Sequence, residues 1–322
     1  MKILIADKFE KSGIEGLKAA GADVAYEPTA GAEGLAAAVA SARPEILVVR
    51  SSKVPAPVIQ EFTGVKGIIR AGAGVDNIDV AAASAKSIGV CNCPGTNAVA
   101  VAELTMGLLL ACDRRIVDQT GALRSGTWNK KEFAAARGLK GSTLGVVGLG
   151  AIGRAVIQRA KAFEMNIIAW SRSLTEQEAR ALGVRFGGSD RASLLGFLPE
   201  CDSVSIHIAL TPETKRFCDA EFFSAMKQGA YFINTSRGGV VDEAALRAAA
   251  AQKNLRVGLD VYEHQPATPQ AAFTTETASL PNSGFTHHCG ASTDQAQQAV
   301  AEEVVRIVRV YSQTGRLENR VN

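Results

Sequence analysis

The chain is predicted to be α/β, with two Rossmann-like domains, each a doubly wound parallel sheet, and a cleft between them. Three observations carry this expectation. Short β-branched runs alternate with helical stretches along the chain, and a G-x-G-x-x-G turn stands between a strand and a helix near residue 148. The length of 322 residues, at ~150 residues per domain, gives two buried cores. The composition, 47% hydrophobic and 21% charged, is that of an ordinary globular protein rather than a disordered chain. Thirty-five Lys+Arg against 32 Asp+Glu leave a formal charge of +3, too small an excess to call for nucleic acid or an anionic membrane.

In the first ninety residues, KILIA, DVAY, EILVV, GIIR and IGVCN read as strands, being apolar, β-branched and bounded by Gly, Pro or charge. Phe9 to Ala20 and Gly31 to Ala42 have helical composition and apolar spacings of three and four. Strands alternating with helices argue for a parallel sheet covered on both faces. This unit has no G-x-G-x-x-G after its opening strand, so it is not expected to be the nucleotide site. Pro94-Gly95-Thr96-Asn97 then stops the chain, and Asn97 is expected to cap a helix running from Ala98 to about Leu123. One helix of that length would reach nearly ~40 Å and suit a bridge between domains. Ser125 to Trp128 breaks it, and a basic stretch to Gly141 reads as a linker. A second unit follows, with strands at TLGVV, NIIAW, SVSIHI, AYFIN, RVGLD and SGFTH. Ser292 is expected to cap a last amphipathic helix through about Val310, leaving no room for a further regulatory domain.

Six cysteines include Cys91-Asn-Cys93, but no C-x-x-C pair. They read as small apolar fillers in a reducing compartment rather than metal ligands. The apolar start, Ile3 to Ala6, is too short for a signal-peptide core. The run Leu104 to Cys112 falls short of the ~20 residues of a bilayer span. The expected location is the cytoplasm.

The chemistry is concentrated in the second unit. Thr143 to Arg154 is a hydrophobic strand entering Gly148-Leu149-Gly150-Ala151-Ile152-Gly153 and then a helix. The glycines serve a tight turn, close approach of a pyrophosphate and close helix–strand packing, and the helix N-terminus presents unpaired N–H groups. The second strand ends not in the Asp or Glu of a usual NAD site but in Ser171-Arg172-Ser173. Two hydroxyls and a guanidinium can hold a 2′-phosphate, so NADP(H) is favoured, with NAD(H) still admissible. Three more loops follow strands at the carboxyl edge: Asn234 to Gly239, Gly258 to Pro266 and Thr286 to Thr293. An Arg to grip a carboxylate and a His to move a proton suit 2-hydroxy acid chemistry.

Together these segments resemble the D-2-hydroxyacid dehydrogenase family over essentially the whole chain, and within it the short phosphoglycerate-type members without a regulatory extension. The markers are Arg50-Ser-Ser-Lys53-Val, Arg70 to Asp79, Pro94 to Asn97, Gly126-Thr-Trp128, Gly148 to Gly153, Asn234 to Gly239 and His288 to Thr293. The resemblance implies a nucleotide domain at residues 98–290 and a substrate domain of residues 1–97 plus 291–322. It implies that Arg237 anchors the substrate carboxylate, that His288 is the acid/base, and that Gln265 positions the imidazole. Cofactor contacts would come from Gly148, Gly150, Ala151, Ile152 and Gly153, from Ser171 to Ser173, and from Ile208. Others would be Thr235, Ser236, Asp260, Gly290 and Ala291. Arg50 and Arg70 would take the substrate phosphate, with Ser51, Ala73, Gly74 and Asn97 alongside, and Lys130 would reach across a homodimer.

Two departures matter. Most of the family has glutamate five residues after the aspartate of D-V-[FY]; here that position is Gln265. An amide cannot favour the imidazolium as a carboxylate does, so His288 is expected to titrate near the unperturbed ~6.5. Formate dehydrogenases of the same superfamily also pair Gln with His, but Arg70-Ala-Gly-Ala-Gly74 is phosphoglycerate-like, and formate oxidation is not the expected reaction. Glu263 is not expected to supply the missing charge. The second departure is His287, where the family commonly has proline; it is expected to pack or face solvent. The favoured substrate is 3-phosphoglycerate with its keto partner, the alternative glyoxylate or hydroxypyruvate. A nucleotide-sensing scaffold of the corepressor type is the reading from another class, and Arg237 with His288 argues against it.

Overall fold

The computed structural model describes residues 1–266 and 270–322. The chain divides into two units, Met1–Asn97 with Ser292–Asn322, and Ala98–Ala291. Both are α/β with wholly parallel sheets, as the alternation of strand and helix requires.

The first unit holds β1 (Lys2–Ile5), β2 (Asp23–Tyr26), β3 (Ile46–Val49), β4 (Gly67–Arg70) and β5 (Gly89–Cys91), in the order β2-β1-β3-β4-β5. Alternation of side chains along a strand sorts the apolar residues onto two faces. Ile3, Ile5, Ile46, Val48 and Ile69 share one core with Val304, Ile307 and Val308 of the last helix. Leu4, Leu47, Val49 and Ile68 face the other, against Leu35, Val39 and Ile59. The last helix spans Asp294–Thr314, and its buried Val300, Val304, Val305, Ile307 and Val308 form the stripe that returns the chain end to this unit. Its cap is Thr293, whose hydroxyl accepts from Ala296 N, rather than Ser292, and it runs on to Gly315 in the left-handed region.

The second unit holds β6 (Thr143–Val147), β7 (Asn166–Trp170), β8 (Arg185–Phe186), β9 (Ser203–Ile206), β10 (Tyr231–Asn234), β11 (Arg256–Leu259) and β12 (Gly284–Phe285). Their order is β12-β11-β10-β9-β6-β7-β8, so the sequence order reverses between β6 and β9, the switch point where open α/β sheets bind ligands. One face is built on Phe222, Phe223 and Phe232, fully buried and packed edge-on at 5.0–6.2 Å between centroids. On the other, Leu108, Leu109, Val146, Val156, Ile167 and Ile233 pack together.

The expected single helix after Asn97 is two, Ala98–Arg114 and Ile116–Arg124, broken at Arg115, which takes φ 51°. Side-chain demands explain the break. Buried Asp113 accepts from the N–H groups of Arg137 and Gly138 and from the Tyr231 hydroxyl. Arg115 reaches Asp118 and Glu132 and lies 4.7 Å over the Phe133 ring. The expected cap is also missing: the Asn97 carboxamide oxygen is buried and accepts no hydrogen bond. The stretch read as a linker carries a short helix, Lys130–Phe133, capped by Asn129. All six cysteines are free, and burial pushes the Cys91 and Cys93 thiols up to about 11 and 12. Among the described residues no helix is long and apolar enough to cross a membrane.

His207 continues β9 by donating its N–H to Val147 O at 2.7 Å, and its ring Nε2 lies 2.7 Å from Ser205 Oγ. Its Nδ1 is buried without a partner, and burial pulls the imidazolium down to about 3. The folded chain therefore keeps this ring neutral where an unfolded one takes up a proton, below ~6.5. Stability from this group is complete above that value and is lost as pH falls towards 3. Between pH 7 and pH 5 the loss should be about 1–2 kcal/mol, at ~1.4 kcal/mol per unit. Urea midpoints of a His207→Gln variant should fall less steeply than the parent's over that interval; equal slopes would contradict the assignment.

Candidate active site

Three turns of the second unit meet at the carboxyl edge of its sheet. The first follows β6. Gly148 has φ 101°, and a Cβ there would come 2.5 Å from the His207 carbonyl oxygen; one on Gly153 would come 2.0 Å from Gly148 O. Both positions therefore demand glycine. Gly150 instead faces open space, and as N-cap of the helix Ala151–Ala162 it offers no side-chain cap. This bare turn and the N–H groups of the helix start fit a dinucleotide pyrophosphate. Ile208 packs against the turn, 3.0 Å from where a Gly148 Cβ would stand. Ser171, half-buried, and Arg172 and Ser173, both exposed, form a turn after β7, at the adenosine end implied by the fingerprint. The strand end itself carries no Asp or Glu beside Arg172. Glu213, from the loop after β9, lies within its electrostatic reach: Thr211, its own backbone N–H and then Arg172 hold the Glu213 carboxyl below its usual range.

The second turn follows β10. Asn234, fully buried, accepts from Ser236 N (3.0 Å) and Ser236 Oγ (2.7 Å) and donates to Arg237 O (3.0 Å). Thr235 Oγ1 lies 2.8 Å from Thr105 Oγ1, and an Arg237 guanidinium N–H donates to Ser236 O at 2.8 Å. Gly238 then presses on the next loop, since a Cβ on it would stand 2.0 Å from the Tyr262 carbonyl.

The third region joins β11 to β12. Asp260, 1% exposed, accepts from Thr286 Oγ1 (2.6 Å), Cys289 N (2.9 Å) and Gly290 N (2.8 Å), and its carbonyl accepts from His288 N (2.7 Å). These bonds shape residues 286–291 into a tight turn in which His288 takes φ 52°. Gln265 Nε2 is 2.5 Å from His288 Nδ1, and Gln265 Oε1 accepts from Tyr262 N at 3.1 Å. Glu263 faces elsewhere, paired with Arg216 at 2.9 Å, while its N–H donates to buried Glu243 at 2.6 Å. His287 lines a hollow with Tyr262, Gln265, Pro266, Ala271, Phe273 and His288. Among the described residues no group of three His, Cys, Asp or Glu could hold a metal ion.

The first unit gathers its own polar residues at the carboxyl ends of β1, β3, β4 and β5. Asp7, which the sequence reading passed over, accepts from the N–H groups of Arg50 (2.7 Å), Ser51 and Ser52 (both 3.1 Å) and from Ser52 Oγ (3.0 Å). Its position immediately after the apolar run KILIA was the available signal. Burial draws the Arg50 guanidinium below its ordinary value, against the charges of Glu10 and Asp7. Arg70 ends β4, and Asn92 Nδ2 donates to Ala73 O at 2.6 Å beside Gly74. Lys130 is exposed on its short helix.

Residues 106–290 match the family described as D-isomer specific 2-hydroxyacid dehydrogenase, NAD binding domain. The chain is 39% identical over 315 residues to a D-3-phosphoglycerate dehydrogenase of Methanocaldococcus jannaschii, covering 96% of this chain and 58% of that one. It is 41% identical over 273 residues to a hydroxypyruvate reductase of Thermotoga maritima, covering 84% and 85%. A solved NADPH-dependent glyoxylate/hydroxypyruvate reductase from Sinorhizobium meliloti, in complex with NADP and malonate, superposes with a TM-score of 0.83 at 28% identity over 99% and 96% of the chains. The chain thus spans somewhat over half the length of the phosphoglycerate relative. On the strength of the matched domain and of the near-complete overlap with the Thermotoga relative, the chain belongs to the D-isomer specific 2-hydroxyacid dehydrogenase family.

Proposed function

We propose that the protein is an oxidoreductase that moves a hydride between a nicotinamide nucleotide and C2 of a D-2-hydroxy or 2-keto acid. The observation that carries this is the meeting of the Arg237 turn and the Gln265–His288 pair, from adjacent strands β10, β11 and β12, through the contact of Gly238 with the Tyr262 peptide. When bound, the nicotinamide supplies or accepts the hydride. Arg237 holds the substrate carboxylate with two charge-assisted bonds, and His288 serves the substrate oxygen. The glycine turn at 148–153 carries the pyrophosphate, Thr235, Ser236, Asp260, Gly290 and Ala291 border the nicotinamide end, and residues 98–290 act as the nucleotide domain.

We assign 3-phosphoglycerate and its keto partner as the substrate pair, with Arg50 and Arg70 on the phosphate. A second reading, glyoxylate or hydroxypyruvate reduction with NADP(H), is favoured by the Ser171-Arg172-Ser173 bend and by the NADPH dependence of the Sinorhizobium relative. The active form is proposed to be a homodimer that covers the exposed Val117, Leu123 and Trp128 and brings Lys130 to the partner. The free thiols suit a reducing cytoplasm.

Two assays test these assignments. Assayed with a panel of 2-keto acids, the protein should show a higher kcat/KM with NADPH than with NADH, and Arg172→Asp should lower the NADPH value roughly 10–100-fold, the worth of a charge-assisted bond. A preference of the parent for NADH would remove the NADP(H) assignment. Arg50→Ala and Arg70→Ala should each cut kcat/KM for the phosphorylated acid by about 10–100-fold while sparing glyoxylate. Unchanged kinetics towards the phosphorylated acid would instead support the second substrate reading.

A further inference from the structure

The Gln265 carboxamide has two unlike ends, and the structure gives each a partner. Its Oε1 faces Tyr262 N at 3.1 Å, and its Nε2 faces His288 Nδ1 at 2.5 Å. A backbone N–H can only donate, so the oxygen end belongs on Tyr262 and the amino end on the ring. An amide amino group also only donates, so Nδ1 must present a lone pair to it. We propose that the Tyr262 peptide, acting through Gln265, fixes His288 as the tautomer protonated at Nε2, so that the ring meets the substrate oxygen as a hydrogen-bond donor. Gln265 and the Tyr262 peptide are then positioning groups, and the inference rests on the reading of His288 as the group that serves that oxygen.

The lock is stiff because Tyr262 is held on every side. Gly238 packs against its carbonyl, and the Tyr262 hydroxyl donates to Thr286 O at 2.9 Å, two residues before His288. The next N–H, of Glu263, donates to Glu243, which Thr277 Oγ1 holds at 2.8 Å, and Glu263 is paired with Arg216. Turning the amide over would set its amino group against the Tyr262 N–H, two donors facing each other beside a buried tyrosine. The same clash meets any proton on His288 Nδ1. A keto oxygen accepts a hydrogen bond from the Nε2 proton, and the alkoxide left by hydride transfer takes its proton from solvent water, because a neutral ring that gave up its Nε2 proton would be left an imidazolate. To take a proton from a hydroxyl at Nε2, the ring must first carry its own on Nδ1, against the amide. A carboxylate at position 265 would reverse this, because it accepts from an Nδ1 proton.

Ring nitrogen resonances read this directly, without turnover. The full chain, labelled with 15N-histidine, contains four histidines, and His288 is assigned by loss of its pattern in a His288→Asn variant. At pH 7.5 two-bond 1H–15N spectra should show His288 with a protonated Nε2 and an unprotonated Nδ1. In Gln265→Glu the proton should appear on Nδ1. A protonated Nδ1 in the parent, averaged shifts of two exchanging tautomers, or an unchanged pattern in Gln265→Glu would each overturn the inference. The keto acid panel keeps the two claims apart. Turnover with the wrong tautomer sinks only the lock, whereas the stated tautomer without turnover on any 2-keto acid sinks the enzymatic reading.

Discussion

The buried carboxylate of Asp260 is the constraint on which the site of the second unit depends. A carboxylate withdrawn from water is costly unless its oxygens are filled, and here a hydroxyl and two backbone N–H groups fill them. All three come from residues 286–290, so satisfying the charge and folding the turn are one event. The His288 backbone is bent into the left-handed region, which a side-chain-bearing residue occupies at a cost, and the surrounding bonds to Asp260 hold it there. The imidazole is thereby brought to the Gln265 amide.

The first unit repeats the device with different residues. Asp7, one residue beyond the run KILIA, gathers three successive N–H groups and a hydroxyl and so sets the course of Arg50 to Ser52. In both sheets the strands are parallel and the inner ones buried, and loops at their carboxyl ends expose backbone N–H groups with no ladder partner. A short acidic side chain at the strand end satisfies several at once. That leaves the longer side chains beside it, Arg50 in one unit and His288 in the other, to be aimed by backbone rather than by their own packing.

The strands and the glycine turn were legible because their signals are local: β-branched runs bounded by breakers, and a strand–turn–helix with glycine where a Cβ collides. What escaped was set by distant partners. The two-residue strand β8 has too little sequence to show a period, and it exists by pairing with β7. The helix break at Arg115 follows from Asp113 reaching residues 137, 138 and 231, far away in sequence. Nothing local announces it. Thr293 outcompetes Ser292 as cap because its hydroxyl, three residues before Ala296, meets that N–H. Position 265 was legible as a departure from the family, and Glu263 was rightly not expected to replace it, being paired with Arg216. The polarity of the amide was not legible, since it comes from one backbone N–H. Nor was the pull of Arg172 on the Glu213 carboxyl, which arrives from another loop.

The most direct test of this account is amide hydrogen exchange at Cys289 and Gly290 in the parent and in an Asp260→Ala variant, read residue by residue by NMR. If the carboxylate organises the turn, both amides are protected in the parent and exchange about 10–100-fold faster in the variant, while amides of β6 and β9 keep their rates. Equal exchange at Cys289 and Gly290 in the two proteins would show that the turn holds its shape without Asp260, and the account would lose its foundation.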